Sequence, residues 1–202
     1  MLLLTFLVAI VINFAGYIPL GNINLTTVQI SINRGLRQAF YFVLTFALMD
    51  ILITYILMRF AEWFAQHKSW WLILDYLLIV IFLIMGASSW FTSTHPRKVE
   101  YKASDSVRYG ILLGIFNPMQ IPFWMIAGTY LISQGWITTD GLGVELFSVG
   151  AGVGAFSCLM LFARFARYIQ ERFSLSARLI NRSIAVIFFT LALIQVGRMI
   201  FN

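Results

Sequence analysis

Six apolar stretches, at 2–29, 39–60, 71–91, 109–132, 142–163 and 179–201, leave this chain little choice of environment. Each is long enough to cross a hydrocarbon core of about 30 Å as a helix of roughly 20 residues. Hydrophobic residues make up 60% of the 202 positions and charged residues 11%, against about 45–50% and about 25% in a soluble domain. A water-soluble core does not account for that pattern. The expectation is an all-α integral membrane protein, a single transmembrane domain over 1–202 with six transmembrane helices and the lipid bilayer as its main partner. The first stretch lacks the basic start of a signal peptide and flows into a longer apolar run, so it is expected to be retained as the first helix.

The net charge of +6 would suit nucleic acid. Here, however, the basic residues lie between apolar stretches, where they set orientation and meet anionic head groups, so no nucleic-acid partner is expected. The linkers after the first, third and fifth helices hold Arg34, Arg37, Arg97, Lys98, Lys102, Arg108, Arg164, Arg167, Arg172, Arg178 and Arg182. The other side holds Arg59, Lys68 and Arg198. Eleven against three places those linkers in the cytoplasm and both chain ends outside. Cys158, the only cysteine, lies within an apolar stretch and is expected to be packing, with no disulfide and no thiolate metal site.

If 1–91 and 109–202 are related three-helix units joined by a cytoplasmic loop at 92–108, they must enter the membrane in opposite senses, the inverted-repeat plan of many secondary transporters. Proline supports the division. Within the apolar stretches it occurs only in the first helix of each half, as Pro19 and as Pro118 with Pro122.

Those two helices also carry glycine and amides beside the proline: Gly16, Pro19, Gly21, Asn22 and Asn24 in one, Gly114, Asn117, Pro118, Gln120 and Pro122 in the other. Proline removes a backbone donor and crowds the preceding turn, so helices 1 and 4 are predicted to be broken. Asn117 before Pro118 reads as a cap followed by a first helical residue, and Asn22 is a candidate cap for the other restart. At 1.5 Å per residue Asn22 lies roughly 18 Å from Arg34 and Asn117 roughly 14 Å from Arg108, both near the midplane. Freed backbone groups at that depth must face protein, water or ligand. Helix N-termini there suit an anionic group such as a carboxylate. A kink that serves only packing is the structural alternative.

Asp50 is the acidic residue set deep inside an apolar stretch, roughly 20 Å along the helix from Arg37. Intramembrane acids commonly mark proton relays or solute paths. It is read as a proton-coupling group, a site for a substrate ammonium, or both, against a structural acid bonded to a neighbouring helix. Asp75 and Glu145 are expected at the interfaces, and Asn13 and Gln195 as interhelical hydrogen bonders. The run from Gly150 to Gly154 predicts close helix packing, with a homodimer contact as the alternative. Trp63, Trp70, Trp71, Trp90 and Trp136 fall near span ends as an interfacial belt.

The run from Pro19 to Leu25 followed by Asn33-Arg34-Gly35, with Asp50, Gly86 and the approach from Gly110 to Asn117-Pro118, resembles the lysine exporter (LysE/RhtB) family of amino-acid exporters over essentially the whole chain. The chain departs from the family pattern in having Asn22 where a second proline follows the motif glycine, and Met119-Gln120 where a lysine is frequent. The resemblance implies proton-driven export of amino acids or related metabolites across a bacterial inner membrane. On that reading a small zwitterionic solute and protons are the partners, no cofactor is needed, and Asp50, Pro19, Gly21, Asn22, Asn24, Asn117, Pro118 and Gln120 form the site. Alternatives are a divalent-metal exporter, for which one deep carboxylate is a thin ligand set, a membrane enzyme, for which the usual catalytic motifs are missing, and a non-transporting scaffold.

Overall fold

The computed structural model describes residues 1–19, 21–91, 105–172 and 177–201. Among these the chain is helical, with no strand: α1 (Leu2–Gly16), α2 (Asn22–Arg34), α3 (Leu36–Gln66), α4 (Trp71–Phe91), α5 (Asp105–Ile115), α6 (Gln120–Ser133), α7 (Gly143–Arg164), α8 (Ala166–Arg172) and α9 (Ala177–Phe201), with a 3-10 turn over Lys68–Trp70. Of the loop expected at 92–108, residues 92–104 lie outside the described residues and the remainder opens α5.

The first and fourth apolar stretches are each interrupted, between Gly16 and Asn22 and between Ile115 and Gln120. α3, α4 and α7 are each long and apolar enough to cross a membrane, and α5 with α6, bent by 52°, makes a fourth crossing when taken as one span. The expected count of six is met only in part. α1 ends at Gly16 after about 22 Å of rise, short of a bilayer core by itself, and of α9, 25 residues long, the stretch Arg182–Gly197 is apolar among the described residues.

The helices pair in a reciprocal pattern. α1 packs along α7, α5 and α6 pack along α3, α3 packs on α7, and α4 pairs with α9. Glycine sets two of these approaches. A Cβ on Gly110 would lie 2.5 Å from the Phe42 carbonyl and one on Gly114 would lie 3.1 Å from that of Phe46. Likewise a Cβ on Gly150 would lie 2.5 Å from the Phe6 carbonyl, and one on Gly154 would overlap that of Ile10. Small residues four apart let backbones approach where lipid offers no hydrophobic drive to associate. The order of these contacts also gives direction: α5 runs the same way as α3, and α7 the same way as α1. The packing expected of the run from Gly150 to Gly154 is therefore met inside the chain.

Gly35, at φ +85°, makes the corner between α2 and α3, a conformation closed to residues with a Cβ. One buried apolar cluster joins α3, α4, α6, α7 and α9 around Met58, Phe82, Trp124, Phe147 and Phe188. A second gathers Tyr17, Ile30, Phe42, Phe46 and Leu159 around the first break. The Gln195 side chain donates to Asp75 Oδ1, tying α9 to α4 as an interhelical hydrogen bond. Phe40, Leu44, Leu48, Leu52 and Ile56 lie exposed along α3, an apolar face fit for lipid.

Candidate functional site

The first break begins where α1 runs out. The Tyr17 amide still donates to the carbonyls of Asn13 at 3.1 Å and Phe14 at 3.2 Å, and the Ile18 amide to Ala15 at 3.2 Å. The chain then opens at Gly21, whose extended backbone (φ −128°) caps α2, and Leu25 makes the first helical bond back to the Gly21 carbonyl at 3.0 Å. Gly21 rather than Asn22 is the cap residue, and no side chain caps α2. Asn24 bridges the gap instead, its amide donating to the Tyr17 carbonyl. That bond satisfies a backbone acceptor which proline and the break would otherwise strand in the interior.

The second break is built around Asn117. Asn117 Oδ1 accepts from the Met119 amide at 3.2 Å, and the Gln120 amide donates to the Asn117 carbonyl at 3.2 Å. That side-chain bond closes a turn over Pro118, whereas α6 itself starts at Gln120 with Met119 as its cap residue and no side-chain cap bond, so Asn117 shapes the break without capping the helix and Pro118 precedes its first residue.

Asp50 joins the two breaks. It lies at the middle of α3 with no solvent exposure, and its carboxylate accepts from three side chains. Asn13 Nδ2 donates to Oδ2 at 2.8 Å, the Tyr17 hydroxyl donates to Oδ1 at 2.8 Å, and Gln120 Nε2 donates to Oδ1 as well. Asn117 Nδ2 in turn donates to the Tyr17 oxygen at 3.2 Å. Asn13 uses its second hydrogen on the Ala151 carbonyl of α7 at 2.7 Å. The acid is thus held by α1, the first break and α6, with α7 one bond away. Burying an unpaired carboxylate would cost several kcal/mol, and hydrogen bonds to a charged group offset about 1.5–3 kcal/mol each.

Hydrogen-bonding capacity remains around this cluster. Gln120 Oε1, Thr54 Oγ1 and Trp124 Nε1 are buried without a partner among the described residues. Gln120 meets Asp50, and a Cβ on Gly128 would lie 2.7 Å from Met58 Sδ, so α3 and α6 run side by side in one direction. That register sets Trp124 level with Thr54, one turn beyond the acid.

Of the residues singled out in the sequence, Asp50, Asn117 and Gln120 come together in one network, and Asn24 braces it. Pro19, Asn22 and Pro118 are exposed, and Gly21 is half-buried; they shape the breaks through the backbone without a bond to Asp50. Tyr17 is the central member that sequence reasoning missed. Asn13, taken for an interhelical bonder, is one, but its partner is the acid itself. The available signal was their spacing: Asn13 and Tyr17 stand four residues apart, on one face of α1. No group of three or more His, Cys, Asp or Glu able to hold a metal ion occurs among the described residues.

A multi-pass helical membrane protein with two interrupted helices meeting at a buried acid is the architecture of a transporter. The chain belongs to the LysE type translocator family, whose model matches residues 14–196. At that level it is a small-molecule exporter, a transporter rather than an enzyme. No curated protein and no solved structure gives a significant match to the chain.

Proposed function

We propose that the protein is a secondary active exporter of amino acids or related small metabolites, coupled to protons and working across a bacterial inner membrane with both termini outside. The observation that carries this reading is the Asp50 network, one buried carboxylate bonded by residues from both broken helices. A neutral structural acid would need fewer donors. Every partner of Asp50 donates to it, so the cluster is fitted to the carboxylate form.

Proton loading then has a geometric meaning. A protonated Asp50 becomes a donor and must find an acceptor, and Gln120 Oε1 is the buried, unbonded acceptor on a residue already touching it. Turning that amide over exchanges a donor for an acceptor. A substrate ammonium placed against Asp50 competes with the same donors, while its carboxylate is drawn to the N-terminal ends of α2 and α6, where the helix dipoles present partial positive charge. Thr54 and Trp124 supply further hydrogen-bonding groups one turn along α3 and α6.

Six spans in two inverted halves remain part of this proposal. The reciprocal pairing supports it: the first helix of each half packs on the second helix of the other, and the third helices, α4 and α9, pack on each other. α5 runs with α3, and α3 returns from α1 and α2 through the Gly35 corner, so α5 opposes α1. Opposed first helices are what inverted halves require.

Export from amino-acid-loaded, energised vesicles tests the proposal. Asp50→Asn should reduce proton-driven efflux at least tenfold while the protein stays inserted. Efflux unchanged in that variant would reject Asp50 as the coupling group.

A further inference from the structure

One face of α2 does not suit lipid. Asn22, Gln29 and Asn33 stand at i, i+7 and i+11, along one stripe of the helix. All three are exposed, and their side-chain amides make no hydrogen bond to a described residue. Thr26, on the same stripe, returns its hydroxyl to the Asn22 carbonyl at 2.7 Å. Neighbouring helices expose apolar groups: Leu44, Leu48 and Leu52 on α3, Leu112 and Ile115 on α5. The contrast is sharpest with α6, which follows the second break as α2 follows the first and exposes Ile121, Ile126 and Tyr130.

Depth makes the stripe costly if lipid covers it. Asn24 bonds the Tyr17 carbonyl and the Tyr17 hydroxyl bonds Asp50, so α2 begins beside the acid. From Asn22, Gln29 lies about 10 Å and Asn33 about 17 Å along the axis. With the acid near the midplane, half of a 30 Å core is about 15 Å, which puts Asn22 and Gln29 within hydrocarbon depth and Asn33 at its edge. An amide unsatisfied in lipid costs several kcal/mol, so water or protein must cover this face.

We propose that this face of α2 is the wall of a water-filled intake, along which a small hydrated zwitterion passes from the Arg34 end to the Asp50 cluster. The inference rests on the export reading and its orientation. Uncharged amides suit such a wall, since they offer donors and acceptors to a solute bearing both charges without holding either. A second copy of the chain is the less apt cover. Amides do bond helices to one another in membranes, but close backbone approach also needs small residues, and Gly110, Gly114, Gly150 and Gly154 are already spent on contacts within the chain; oxidative cross-linking tests that cover directly.

Single cysteines test this in a Cys158→Ser background, which removes the native thiol. Asn22→Cys, Gln29→Cys and Asn33→Cys should react with a charged, membrane-impermeant maleimide in inside-out vesicles at least tenfold faster than Leu48→Cys on the lipid face. Rates at 22 and 29 no higher than at 48, reaction only in right-side-out vesicles, or oxidative cross-linking of Gln29→Cys into dimers would each overturn the intake. The labelling needs no transport, so failure of export and failure of the intake are read separately.

Discussion

The Tyr17 hydroxyl donates to Asp50 Oδ1 at 2.8 Å while its own oxygen accepts from Asn117 at 3.2 Å. One hydroxyl at the first break therefore links the residue that opens the second break to the buried acid. The ring is fixed edge-on against Phe46, with centroids 5.7 Å apart, so the oxygen has little freedom to wander.

Tyr17→Phe keeps that ring and deletes the link. A hydrogen bond to a charged group contributes about 1.5–3 kcal/mol, and each 1.4 kcal/mol is roughly tenfold in an equilibrium. We expect efflux to fall about tenfold or more with insertion unchanged, measured in the same loaded vesicles. Wild-type efflux would show that the hydroxyl is dispensable.

The second break separates a side chain that bonds from one that only bends. Asn117→Ala loses both the bond to Met119 and the bond to Tyr17, whereas Pro118 is exposed and contributes only its backbone. Efflux should drop severalfold more in Asn117→Ala than in Pro118→Ala. Equal losses would mean that the bend alone matters.

Gly154→Ala places a methyl against the Ile10 carbonyl, whereas Gly197 has nothing within 4 Å of an added Cβ. Overpacking of this kind costs about 1–3 kcal/mol. Thermal unfolding in detergent should show a clear loss for Gly154→Ala and none for Gly197→Ala.

Gln195→Leu strips the Asp75 carboxylate of a donor and should destabilise the α4–α9 pair by about 1–3 kcal/mol. The double variant Asp75→Leu with Gln195→Leu removes donor and acceptor together and is expected to lose less than the single one. Additive losses in the cycle would deny the coupling.

Much of this was legible because proline, glycine and a deep acid are local signals. The positions of both breaks and the depth of Asp50 follow from chemistry that acts within a turn or two of the chain, while Asn117, expected as a cap, closes a turn ahead of Met119, the cap residue of α6. What escaped depends on tertiary arrangement. Asn13 and Asp50 are 37 residues apart and Tyr17 and Asn117 are 100 apart, and nothing local to Tyr17 separates a buried hydroxyl donor from a packing aromatic. Asn22 looked like a cap because asparagine often is one, yet Gly21 reaches the extended cap conformation first. The span count was legible only in part, since a helix cut at Gly16 leaves two pieces that each fail the length a bilayer demands.

Asn13 spends one hydrogen on Asp50 and the other on the Ala151 carbonyl, a bond across 138 residues of chain. The seam between α1 and α7 is therefore stitched to the same atom that steadies the acid. On the proposed reading, cargo that meets this carboxylate meets the residue that also ties α1 to α7, so loading at the centre and the grip between those two helices share one side chain.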